Sequence, residues 1–193
     1  ALALDTGGSN TAVGSGALDA NTSGTRNIGV GVNALGALTS ATDNIAIGNS
    51  AGDAIIASSE QNILIGENSG TAITSGDGNI AIGYYTLFAP TTQSDNIAIG
   101  RNSLGGGSNA GSTNLGIGSS VGYNITSGST NIMIGYAAGN LVTSGGNNIL
   151  LGHQAGNNIT SGSNNLLIGY DIDAPSATAS GQLSIGNLIF GTS

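Results

Sequence analysis

One short phrase recurs through the whole chain: an Asn, a large aliphatic residue, a small or apolar residue, a second large aliphatic, then Gly. The Asn positions are 10, 27, 44, 62, 79, 96, 114, 131, 148 and 165, with Gln182 in the eleventh place, so every spacing is 17 or 18 residues. The closing Gly is present in all eleven copies, from Gly14 to Gly186. A repeat of this length, too short to bury a core alone, predicts a quasi-one-dimensional stack in which each unit packs on its neighbours. The expected fold is all-β, a parallel β-solenoid or β-roll of about eleven 17-residue coils. It forms one repeat domain over residues 1–193, with 181–193 as a terminal coil or a junction to a further domain.

Within a coil, the aliphatic residues at the second and fourth places of the phrase lie two apart, as in Ile132 and Ile134. In an extended chain they share a face, and we expect that face to line the core. The Gly that follows is read as a corner with positive φ. A second, softer bend is expected about ten residues later, at Gly24, Gly76, Gly128, Gly145 and Gly162, usually within ThrSerGly. Between the bends, Ile55, Ile73, Ile125, Val142 and Ile159 supply a second strand-like wall. The Asn at the head of each copy is expected to stack on its counterparts, since amides one strand apart can hydrogen-bond along the axis.

The residue between the two aliphatics points the opposite way, and in no copy is it charged: Leu64, Met133, Leu150 and Leu167 stand among Ala, Gly and Ser. A strand apolar on both faces is a strand covered on both faces. The middle residues are therefore expected to form an apolar stripe along the rod, packed against sister subunits, because soluble monomers avoid long exposed apolar patches.

Composition excludes several functions. The 193 residues carry 2 Lys+Arg against 10 Asp+Glu, a net charge of -8, which disfavours binding to nucleic acid or an anionic membrane surface. No Cys is present, so thiolate metal ligation and disulfides are ruled out. No apolar run approaches the ~20 residues that a membrane-spanning helix needs, and no membrane insertion is expected. The single His, His153, falls in an outward column just after the corner Gly and has no neighbouring nucleophile or ligand set in the sequence. No metal, no cofactor and no catalysis are expected.

The phrases NIAIG, NILIG and NIMIG, each followed by AlaGly and ThrSerGly, resemble the repeats of trimeric autotransporter adhesin heads, the YadA-like β-roll. The opening NTAVGSGALDANTSG, Asn10 to Gly24, resembles repeats of bacteriophage tail-fibre shafts. The segment from Leu183 to Ser193 is similar to the one that precedes the intramolecular chaperone domain of many tail fibres. The resemblance implies a homotrimer in a virion tail fibre or on an extracellular cell surface, with a host receptor, possibly a polysaccharide, as partner. The alternative functions are a bacterial surface adhesin of the autotransporter head type, or an ice-binding solenoid. The last is suggested by the recurring Thr22, Thr39, Thr74, Thr126, Thr143 and Thr160, interrupted at Ala57 and Asn109. Tyr84, Tyr136 and Tyr170 share the outward column of His153, with Tyr85 and Phe88 beside the first in the copy where Pro90 replaces the second-wall aliphatic. These tyrosines, Tyr84, Tyr85, Tyr136 and Tyr170, are the candidate receptor or glycan contacts, set against the simpler role of turn residues resting on adjacent coils.

Overall fold

The computed structural model describes residues 8–89, 92–107 and 111–186. Eleven three-residue strands, from β1 (Thr11–Val13) and β2 (Ile28–Val30) to β10 (Leu166–Ile168) and β11 (Leu183–Ile185), form a single parallel sheet in chain order. Each strand pairs in register with the next copy of itself, as Ile132 with Ile149 and Ile134 with Leu151. The protein is a β-solenoid, and no helix is present among the described residues.

The assignment of strand faces is the reverse of the sequence expectation. The middle residues, Ala46, Leu64, Ala81, Ala98, Met133, Leu150 and Leu167, are fully buried inside the coil. The flanking aliphatics point outward and are half-buried or exposed; Ile132 and Ile134 are both 38% exposed and Val13 57%. The reason lies in the Asn. With a period of two, the first, third and fifth places of the phrase share one face, so the side that takes the Asn also takes the middle residue.

The Asn forms the continuous axial ladder expected of it, but on the inside of the coil. Asn44 donates both its backbone N–H and Nδ2 to Oδ1 of Asn27, at 3.0 and 3.3 Å, and Nδ2 also reaches the carbonyl of Ser59 at 2.8 Å. Asn131 repeats the pattern on Asn114 Oδ1 and the Gly145 carbonyl, each contact being 3.0 Å. Gln182 joins at the end through its N–H and Nε2 to Asn165 Oδ1. Buried amides are tolerable only when satisfied in this way, and the ladder closes the inner edge of every coil.

The second wall is not a strand. Ile55, Ile73, Ile125, Val142 and Ile159 are buried as expected, yet the chain from the corner onward is a series of turns. Left-handed backbone recurs at four places per coil. The corner Gly has φ between +123° and +144° from Gly14 to Gly169, and the residue two later has φ near +55°, as in Asn33, Tyr85 and Gln154. The residue four after the corner is left-handed from Leu18 (φ +49°) to Gly156 (φ +62°), and so is the residue preceding each Asn, as in Asp43 and Thr130, both at +60°. An extended second strand cannot form through such a run.

At the corner, Gly is required twice over. Gly135 has φ +135°, and a Cβ there would run into the carbonyl of Gly152 in the next coil. The softer bend differs: Gly145 has no positive φ but lies against the Gly162 carbonyl, and the same column elsewhere holds Ala41, Ser59, Gln93 and Ala179. The ThrSerGly phrase serves this bend. The N–H groups of Thr126, Ser127 and Gly128 converge on the Thr143 carbonyl at 2.8, 3.1 and 3.2 Å, and the Thr126 hydroxyl adds a fourth donor at 3.1 Å.

Candidate functional site

The tyrosines singled out from the sequence fall into two separate groups. In the first, the Tyr84 and Tyr85 rings lie 4.3 Å apart, Tyr85 and Phe88 4.5 Å apart, and the Arg101 guanidinium stands 5.8 Å over the Tyr84 ring. Lost hydration, and then the neighbouring Tyr85, push the pKa of the Tyr84 hydroxyl up. Tyr85 has a left-handed backbone at φ +54°. Pro90, which marks this copy in the sequence, lies outside the described residues, as do Asn109 and all but the first residues of the terminal Leu183–Ser193 phrase.

In the second group, three coils further on, Tyr136, His153 and Tyr170 stack along the axis. Their centroids are 5.1 and 4.7 Å apart, with interplanar angles of 21° and 11°. The column is outward, as expected, with Tyr136 53% and Tyr170 74% exposed. His153 is sandwiched rather than free, and its Nδ1 is buried without a hydrogen-bond partner. His153 covers one face of the Tyr136 ring and one of the Tyr170 ring, and Arg101 stands over Tyr84, contacts in which these rings bridge adjacent coils.

The sequence reading passed over Tyr123. Its ring lies against the backbone of Gly106 in the preceding coil, where a Cβ would run into Cε1 and Cζ, and 38% of the residue remains exposed. The signal was available: a Gly one coil before an aromatic, in a column that elsewhere holds Asp19, Asp53 and Asn140. The Asn124 N–H donates to the Asn140 carbonyl at 3.2 Å, seating the Tyr123 turn directly on the next. Beyond that turn, a shallow groove of about 260 Å³ runs between Ala137, Asn140 and Leu141 of one coil and Gln154, Asn157 and Asn158 of the following one.

The recurring Thr hydroxyls are committed internally. Thr22, Thr126 and Thr143 each donate to the carbonyl of the residue 17 later, at 3.0 to 3.1 Å. Among the described residues no group of three or more His, Cys, Asp or Glu could hold a metal ion, and no helix is long and apolar enough to cross a membrane. The outward side of the sheet is instead apolar. It offers two positions in each of eleven strands, and of these only Thr11 is not aliphatic.

The fold and this surface define a β-solenoid repeat protein with one apolar side. No protein-family model, no curated protein and no solved structure matches the chain.

Proposed function

We propose that the chain is shaft material of a homotrimeric extracellular fibre, of the tail-fibre or adhesin type, which holds or forms a host-binding surface at a distance from its anchor. The observation that carries this reading is the outward Ile/Val/Leu double column. Ten strand spacings of ~4.8 Å and a width of roughly 10 Å give on the order of 500 Å² of contiguous apolar surface per chain, at the upper end of what a soluble monomer exposes. Packing against sister copies would bury about 500 Å² per chain, which is about 1,000 Å² for a face-to-face pair, the low edge of a specific interface, and the area alone does not choose between two copies and three. Three is the number that the repeats it resembles imply.

Nothing in this role calls for a reaction or a cofactor. Stiffness comes from the repeated backbone pairing and the Asn ladder. The ice-binding alternative is disfavoured by the Thr hydroxyls, which already donate to neighbouring carbonyls. A tail fibre and a cell-surface adhesin share this architecture, and the tail-fibre form is favoured by the resemblance of the Leu183–Ser193 phrase, beside that of the opening repeat.

Mass measurement by sedimentation equilibrium tests the assembly. The native chain is expected at three times its monomer mass, and Ile134→Lys with Leu151→Glu is expected to yield folded monomers with an unchanged far-UV spectrum. A native chain that remains monomeric at high concentration would overturn the reading. Immunogold labelling that decorates virion tails, rather than cell surfaces, distinguishes the fibre from the adhesin.

A further inference from the structure

We infer that Arg101 of one copy forms an ion pair with Asp95 of the next, and that this contact sets sister copies of the chain parallel and coil for coil in register. The pair rests on the fibre reading, which supplies the sister copies, and goes beyond it by fixing their direction and alignment. The outward double column fixes neither, because an aliphatic face that repeats in every coil packs equally well after a slip of one ~4.8 Å spacing.

Two largely exposed columns border that face. One is the residue before each Asn and the other the residue after each corner Gly; in the sixth of the eleven coils these are Asp95 and Arg101, both exposed. Arg26, the other cation of the sequence, already holds Asp43 of its own chain at 2.6 Å. Arg101 makes no ion pair with a described residue, and its guanidinium stands over the Tyr84 ring, 5.8 Å from the centroid. The Asp95 carboxylate accepts no hydrogen bond from a described residue, while its backbone N–H is fixed on the Asp77 carbonyl at 2.9 Å. The extended strand between the two residues keeps them roughly 15–20 Å apart, and no ion pair joins them within a copy.

A ring of copies around a common axis closes only when there is no rise from one copy to the next, so the residues that meet at each interface belong to the same coil. The edge after the corner Gly of one copy then lies against the edge before the Asn of its neighbour. In that arrangement Arg101 meets Asp95, Tyr84 meets the bare backbone of Gly78, and Glu67 meets the neutral Gln61. A slip of one coil in one direction sets Glu67 against Asp43; in the other it sets Arg101 against Thr113 and leaves Asp95 against Tyr84. Antiparallel copies fare worse. A two-fold axis along the strands lays each column on itself, and because the coil of Asn96 is the middle one, Arg101 would face Arg101 and Asp95 would face Asp95. Like charges so placed select against the wrong arrangement.

The chain has no Cys, so introduced thiols report contacts between copies without background. The double variant Arg101→Cys with Asp95→Cys is treated with a short bis-maleimide, whose span covers an Arg–Asp contact but not the roughly 15–20 Å between the two positions of one chain. Linked species of three chains are expected on a denaturing gel, and either single variant is expected to stay unlinked. Charge reversal by Arg101→Glu or by Asp95→Arg should weaken self-association at least about tenfold in sedimentation, with an unchanged far-UV spectrum, and the two together should restore it. Linking in a single-cysteine variant, an assembled double variant that never links, or equal association of the reversed and swapped chains would overturn the pair and leave the fibre reading. Links confined to two chains would overturn the count of three and keep the pair, whereas a native chain that stays monomeric would overturn both.

Discussion

Gly70 has no side chain because Leu64 occupies its place: a Cβ at Gly70 would come 2.7 Å from Leu64 Cδ2. The same exchange recurs at Gly139 and Met133, where Sδ would be 2.7 Å away, and at Gly156 and Leu150. In several coils where the strand residue is small, as with Ala12 and Gly29, the position four after the corner carries Leu18 or Leu35 instead, both fully buried. Where both positions are small, at Ala46 with Gly52 and Gly116 with Gly122, the space is filled from the adjacent coils, by Leu35 and Leu64 and by Leu104 and Met133.

This complementarity makes a sharp prediction. Leu is accepted in left-handed conformation in this column at Leu18, Leu35, Leu87 and Leu104, so backbone alone does not exclude it at position 70. Gly70→Leu should cost about 1–3 kcal/mol through overpacking, and Leu64→Ala about 2–5 kcal/mol through its cavity. The double variant should be more stable than the sum of these losses by at least about 1 kcal/mol, read from a denaturant-unfolding cycle. Strict additivity would mean that the two sites do not share one space.

The Asn ladder predicts a second asymmetry. Asn131 Oδ1 accepts the N–H and Nδ2 of Asn148 at 3.0 and 2.9 Å, while its Nδ2 serves Asn114 and Gly145. Asn131→Ala leaves a buried N–H and a buried carbonyl without partners, at about 1–3 kcal/mol for each. Asn131→Asp should be at least as damaging at neutral pH, since a carboxylate offers no donor to Asn114 Oδ1 or the Gly145 carbonyl. Unfolding midpoints in guanidinium measure both.

Arg26 and Asp43 form a two-pronged ion pair across adjacent coils, at 2.6 and 2.7 Å. The hydrogen bond from Arg26 holds the Asp43 carboxyl below its ordinary range. A depressed carboxyl pKa contributes stability above the unfolded value and loses it as pH falls through the folded one. Asp43→Asn should therefore leave the thermal midpoint at pH 7 nearly unchanged, because the pair is solvent-exposed. It should also flatten the fall in midpoint below pH 4 relative to the native chain. A large loss at pH 7 would contradict the exposed placement.

Much of the architecture was legible in the primary structure because a 17-residue repeat has few ways to close. Coil number, strand position, corner glycines and the Asn stack all follow from periodicity. Two things were misread. The outward and inward sides of the strand were exchanged, since Ile and Val read as core by hydropathy while Asn reads as surface, and the stack inverts both. The second wall was taken for a strand, because Ile125 or Val142 looks extended until the left-handed residues around it are known. Thr130, a β-branched residue at φ +60°, shows how little its identity announces that conformation. Of the candidate site, the tyrosine columns were visible but not their mutual stacking, and Tyr123 escaped notice because its partner Gly106 lies a whole coil away.

What the sequence by itself determined is the repeat: its length, its register, and the rule that Asn and Gly return at fixed places, which dictates a solenoid because no isolated coil can bury its own apolar residues. What only the tertiary structure decided is direction. Satisfying a buried amide takes two neighbouring coils, so the choice of which strand face is dry inside, and which aliphatic face is left for other molecules, exists only once the coils are stacked.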